Sequence, residues 1–142
     1  MTTFMYKKNF LGLLFTLSIV IFVGNSPAFA EKIDNPIVEF TGLDKITGRT
    51  VNFDVYIDET VQFGTLLVTP RVCHSRTPDE PQQISSFLEV DEVTLKREIR
   101  RIFTGWMFAS SPGLNAIEHP VYDVWVINCK TESSVPKPES TN

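Results

Sequence analysis

Between Thr50 and Ile57 the apolar residues Val51, Phe53, Val55 and Ile57 alternate with Asn52, Asp54 and Tyr56. A strand sends successive side chains to opposite faces, so this spacing makes one face to bury and one to leave wet; a helix of about 3.6 residues per turn would scatter the same residues around its circumference. Short runs of β-branched and aromatic residues of this kind recur from Pro36 to Lys130, with turn chemistry about every eight to twelve residues. The pattern predicts a mainly β chain, a small single-domain β-sandwich or barrel-like fold with at most a short helix.

Residues 37–41 read as the first strand, 44–48 as a turn and 50–57 as the second strand. Asp58 and Glu59 mark the next turn. Val61, Phe63 and the run 64–73 read as another strand, and Pro70, which brings no N–H to a ladder, predicts that this strand lies at an edge or ends early. Residues 74–83 are polar, carry Pro78 and Pro81, and read as a surface loop. Alternation returns over 87–93. Over 94–103 the period is ambiguous. Leu95, Ile99, Ile102 and Phe103 fit a helical stripe, whereas Leu95, Arg97, Ile99, Arg101 and Phe103 line one strand face. The uncapped continuation into the aromatic run 103–108 favours strand, with a short helical turn as the alternative. The last strand, 121–129, is apolar on both faces and reads as central or sandwiched; Asp123 is its one anomaly.

The N-terminus has the three zones of an export signal: Lys7 and Lys8, the apolar run 10–23, and the small-residue exit Ala28-Phe29-Ala30. The apolar run is about 14 residues, short of the roughly 20 that span a bilayer as a helix. Gly24, Asn25, Ser26 and Pro27 interrupt it at once. We therefore expect residues 1–30 to be a signal peptide that is removed, 31–35 a linker, 36–130 the β-rich domain and 131–142 a disordered tail. No Cys follows the apolar run to carry a lipid and no Arg pair precedes it, so ordinary export to a periplasmic or secreted location is expected, with no membrane span after cleavage. Removing Lys7 and Lys8 from the 13 basic residues leaves 11 against 17 acidic ones, a net −6 that argues against nucleic acid as a partner.

Both cysteines, Cys73 and Cys129, lie in the exported part, and an even count in an oxidising compartment reads most simply as one disulfide. Closing that loop is worth about 4 kcal/mol on the chain-entropy account. The competing reading is a metal site of Cys73, His74, His119 and Cys129, which lacks the short paired spacing of structural zinc sites. There is no Cys-x-x-Cys motif and no cofactor fingerprint, so neither metal nor cofactor is expected.

The residues able to carry chemistry crowd into 103–129, FTGWMFASSPGLNAIEHPVYDVWVINC. Ser110, Ser111, His119 and Asp123 supply the side-chain types of a serine hydrolase, which needs a nucleophile, a base within hydrogen-bond reach and a carboxylate that orients the base. There is no Gly-x-Ser-x-Gly elbow, and Ser-Ser-Pro-Gly reads more plainly as a turn. Glu118 and Asp123 could instead flank a glycosidic bond, at roughly 5 to 10 Å. The favoured account is that His119 and Asp123 bond backbone at the entrance to the final strand, with Pro120 fixing the approach. Trp106, Met107, Phe108, Tyr122 and Trp125 serve either as a contact platform or as core; Trp125 is expected inside, with Trp106 or Tyr122 free to reach the surface. The resulting candidate binding surface is Trp106, Glu118, His119, Tyr122 and Asp123. The basic cluster Lys96, Arg97, Arg100 and Arg101 reads as a solvated face or as a dock for an anionic envelope component.

The order Gly-Trp-Met-Phe-Ala-Ser-Ser-Pro, then Glu-His-Pro-Val-Tyr-Asp-Val-Trp-Val and a Cys, resembles an uncharacterised family of exported alphaproteobacterial proteins, the domain of unknown function DUF2155. The resemblance extends upstream to Leu43-Asp44-Lys45-Ile46-Thr47-Gly48, to Phe63-Gly64-Thr65-Leu66 and to Arg71-Val72-Cys73, and so covers residues 40–130. It implies an envelope location in a Gram-negative alphaproteobacterium, a single domain and two cysteines kept together. The family has no established activity, so no catalytic residue transfers. The expectation is an exported, non-enzymatic binding or envelope-support domain whose partner is a cell-envelope protein or glycan. The alternative from another class is a small periplasmic hydrolase using Ser110, His119 and Asp123. A cleft joining those three side chains would favour the enzyme, and an exposed aromatic patch would favour binding.

Overall fold

A computed structural model describes residues 30–138 of the chain. The expected leader, apart from Ala30, and the end of the expected tail therefore lie outside the described residues. Eight strands follow in order: β1 (Lys32–Asp34), β2 (Ile37–Asp44), β3 (Thr50–Tyr56), β4 (Val61–Phe63), β5 (Leu66–Arg76), β6 (Ser85–Val93), β7 (Ile99–Phe108) and β8 (Tyr122–Lys130). They form two antiparallel sheets rather than a closed barrel, one running β1-β5-β6-β7 with β4 also on β5, the other β3-β2-β8. Among the described residues there is no helix.

The alternation read from the sequence sets which side chains meet between the sheets. Val38, Phe40, Val55, Val124 and Val126 from one sheet pack with Leu66, Val68, Cys73, Leu88, Val90 and Met107 from the other, all of them buried. Each such aliphatic side chain contributes about 1.5–3 kcal/mol when fully buried. A row of rings continues this core toward one end: Phe40 on Phe53, Phe53 on Phe63 and Phe63 against Tyr122, with centroids 5.6–5.8 Å apart. Phe63 belongs to the larger sheet and the other three to the smaller, so the row ties one to the other. It needs two glycines. A Cβ on Gly42 would stand 2.7 Å from the Phe63 ring, and one on Gly64, where φ is +58°, would strike Tyr122.

Several sequence expectations change in the tertiary setting. Residues 31–35, read as a linker, contain β1, which pairs with the end of β5. For the same reason the loop expected from His74 starts only after Arg76, because β1 and β6 flank His74 and Ser75 with strand partners. Pro70 neither ends β5 nor marks a bare edge: it is buried and paired with Leu88 beside a bulge between Pro70 and Val72. Its carbonyl accepts the Asp58 N–H at 2.8 Å, on the side of β5 where β4 has ended and β1 has not begun. The missing donor thus faces a gap in the ladder, where no partner asks for it.

Residues 94–103 form no helical turn of an α-helix. A tight connection, with the Thr94 N–H donating to Glu98 at 2.8 Å and Arg97 at φ 62°, leads into β7, which pairs with β6 along its length. Leu95 and Ile99 are exposed, so the helical stripe they suggested packs on nothing. The last strand is not central: β8 is an edge of the smaller sheet, and β2 lies in the middle. Trp125, expected inside, is half-buried on the outer face, where the chain's own 109–116 loop partly roofs it. Residues 131–138 hold no strand, yet the tail is fastened to β3, Ser133 Oγ donating to Asp54 and the Tyr56 hydroxyl to the Val135 carbonyl.

Cys73 of β5 and Cys129 of β8 form a disulfide, with Cα atoms 5.8 Å apart and a sequence separation of 56 positions. The bond joins the larger sheet to the smaller at the opposite end of β8 from Tyr122. Replacing both cysteines by serine, or reducing the bond, is expected to lower unfolding stability by about 4 kcal/mol. Urea titration with and without reductant measures the difference.

Candidate functional site

The loop from Ala109 to Val121 organises the chemistry-bearing residues. It leaves β7 through a turn in which the Ser111 N–H donates to Phe108 and the Leu114 N–H to Ser111. The Asn115 amide then reaches back to the Trp106 carbonyl at 2.8 Å. Ile117 plugs into the core, 2% exposed, and His119 follows it inward. One flank of this loop, with Ser110, Ser111 and Leu114, closes a hollow of about 340 Å³ against Lys32, His74, Arg76, Ile84 and Phe108. The other flank, with Pro112, Gly113 and Ala116, closes a second of about 370 Å³ over Leu43, Asp123 and Trp125.

His119 is a structural hub. Its Nδ1 accepts the backbone N–H groups of Val121 and Tyr122 at 3.1 and 3.0 Å, and its Nε2 lies 3.0 Å from Glu92 Oε1. With Nδ1 accepting, Nε2 carries the proton and donates to the carboxylate. The ring stacks on Tyr122 at 5.6 Å, extending the aromatic row to the loop, and the His119 carbonyl accepts Lys45 Nζ at 2.7 Å. His119 therefore does what the backbone-bonding account expects. Asp123 does so too, Oδ1 accepting its own strand's Val124 N–H at 2.9 Å.

The structure does not assemble the hydrolase set. Ser110 and Ser111 line the first hollow, Asp123 lines the second, and both nitrogens of His119 are engaged elsewhere. A general base needs a free lone pair within reach of its nucleophile, and His119 has none to offer. Glu118 is exposed and stands apart from the Asp123 hollow's lining. The four-residue metal reading fails on its sulfurs, which bond each other, while His74 lies 2.6 Å from Asp34.

Of the candidate binding surface, Trp106 alone stands on the outer face of the larger sheet. Its ring stacks on His74 at 5.5 Å and meets Phe87 edge-on. Sequence reasoning passed over this neighbourhood because Lys32, His74 and Trp106 come from three distant stretches, and only the β1–β5–β6–β7 order brings them together. Half of the basic cluster is neutralised, while Lys96 and Arg97 have no ion pair among the described residues. Arg100 pairs with Glu92, and Arg101 with Glu89 and Asp91, within a ladder that Arg71 continues to Asp58. Each such exposed pair is worth about 0–1 kcal/mol. Arg100 first and His119 second hold the Glu92 carboxyl below its ordinary value.

The family profile described as an uncharacterised protein conserved in bacteria, DUF2155, matches residues 38–129. The chain belongs to the DUF2155 family. An uncharacterised protein of Rickettsia prowazekii (strain Madrid E) is 25% identical over 87 residues, which cover 61% of this chain and 56% of the relative. The chain thus spans little more than half the length of that protein. No solved structure matches. The DUF2155 match takes in both cysteines and the whole 109–121 loop and leaves β1, with Lys32, outside it.

Two outcomes test the hub. His119→Ala strands two backbone donors at the head of β8 and should cost about 2–3 kcal/mol in urea unfolding; His119→Asn, whose amide oxygen can stand near the Nδ1 position, should recover part of it. Glu92, with its folded value depressed, stabilises the fold above the ordinary carboxylate range and loses that contribution as pH falls through the lowered value. Glu92→Gln should flatten this acid limb of a stability-against-pH curve.

Proposed function

We propose that this DUF2155 protein is an exported, non-enzymatic binding domain of the cell envelope. The observation that carries the reading is the 109–121 loop, which distributes serine, imidazole and carboxylate between two open hollows and spends His119 on the fold. Such a loop, held on a rigid sheet scaffold, serves recognition better than acid–base chemistry. Export is supported by the leader-like residues 1–30 and by a disulfide, a bond that persists in oxidising compartments. Periplasm or the medium is the proposed location, and a cell-envelope protein or glycan the proposed partner.

The chain produced with its native N-terminus in a Gram-negative host should be recovered by osmotic shock, begin at Glu31 by mass and resist thiol alkylation. It should show no esterase or glycosidase activity above that of its Ser110→Ala and Ser111→Ala variants. Recovery in the cytosol with free thiols, or activity abolished by either serine variant, would overturn the reading.

A further inference from the structure

On an acidic chain, the hollow beside β1 has an unusual lining. Lys32, His74 and Arg76 converge there with Ser75, Ser85, Ser110 and Ser111, and no carboxylate is among the lining residues. The convergence follows from register. Lys32 pairs with Arg76 and Asp34 with His74 across the β1–β5 ladder, and directly opposed residues share a face. Among the described residues neither Lys32 nor Arg76 has an acidic partner within ion-pair distance, in contrast to Arg71, Arg100, Arg101 and Lys130. The Lys32 ammonium lies 5.8 Å from the centroid of Trp106, a contact that steadies a cation without neutralising it.

His74 lies beside these two cations. It is held between Trp106, on which it stacks, and the Asp34 carboxylate, and its side chain is 12% exposed. Nδ1 faces Asp34 at ion-pair distance but without hydrogen-bond alignment. The opposite wall is different in kind: Phe108 is 36% exposed and Leu114 67%, two large apolar side chains next to serine hydroxyls. At about 340 Å³ the hollow is at the lower end of the range of small-ligand clefts, about 300–1,000 Å³.

We propose that this hollow binds an anionic sugar unit. Its carboxylate or phosphate is held between Lys32 and Arg76, its ring packs on Phe108 and Leu114, and its hydroxyls bond Ser85, Ser110 and Ser111. Arg76 is partly engaged, donating to the Gln83 side chain at 3.3 Å and to the Ala30 carbonyl at 3.0 Å. Its remaining N–H groups are available to an anion. Ala30 is the residue after which the leader is proposed to be cut. Processing there would remove this acceptor and leave the α-amino group of Glu31 beside Lys32, adding positive charge at the rim. That last step rests on the export reading, whereas the site itself does not.

The test is an amide-resolved NMR titration of the chain as recovered after export, with its N-terminus read by mass. The probes are glucuronate, glucose 6-phosphate, glucose and inorganic phosphate. Saturable shifts at Lys32, His74, Ser110 and Leu114 with glucuronate or glucose 6-phosphate are expected, with at least tenfold weaker response to glucose and to phosphate alone; which of the two sugars binds identifies the anion. Arg76→Ala and the edge-strand variant Lys32→Ala should each weaken binding about tenfold, with the remaining amide spectrum of the folded variant unchanged. Absence of saturation by either anionic sugar, equal binding of glucose or phosphate, shifts centred elsewhere, or full affinity in a folded Lys32→Ala variant would overturn the proposal. An unprocessed chain that still binds would overturn the export reading alone, and a processed chain that does not bind would overturn the sugar site alone.

Discussion

Each of the two sheets has one face that water penalises, and the domain exists because those faces cover each other. The aliphatic layer from Val38 and Phe40 to Leu88 and Val90 supplies most of that burial, and its residues come from every long strand. With two small sheets the shared area is limited, which gives unusual weight to the ties at either end of β8. At one end the Cys73–Cys129 bond joins it to β5. At the other, Tyr122 continues the ring row from Phe63, and His119 holds the first N–H groups of the strand. An edge strand fastened at both ends can carry a long loop without being peeled from its sheet.

That fastening decides what the loop can do. Because Ile117 and His119 are drawn into the core, residues 109–116 stand as a ridge with a hollow on each side. Charge is segregated accordingly. On the outer face of the larger sheet, Arg71, Glu89, Asp91 and Arg101 cancel one another in a continuous ladder. Among the described residues Lys32 and Arg76, at the far end of the same sheet, have no acidic partner. Local cation density on a chain of net negative charge is thus a product of strand order, not of composition.

The legibility of the fold varied with how local its causes were. The alternation of 50–57 and 121–129 identified strands, and the cysteine count identified the disulfide, because each is stated by neighbouring residues or by a forced pairing. Pro70 misled because its missing N–H matters only against a partner on that side, and the gap between β4 and β1 supplies none. Trp125 misled because a strand apolar on both faces can be covered by its own preceding loop as well as by a second sheet. In the candidate site, His119 and Asp123 were correctly read as backbone ligands from their place before a strand. Trp106 was read as able to surface, while its partners Lys32 and His74 carried no signal of joining it.

By itself the sequence determined the class of structure and its covalent frame: short alternating strands, a turn at Gly48, one pairing open to two cysteines, and an amino end with the zones of an export leader. These follow from side-chain period, backbone freedom and valence, all properties of the local chain. Only the tertiary structure decided which strands lie at edges, which basic residues find carboxylates, and which imidazole is spent on backbone. Those outcomes depend on register across strands remote in sequence, and register is settled by the burial of whole faces at once.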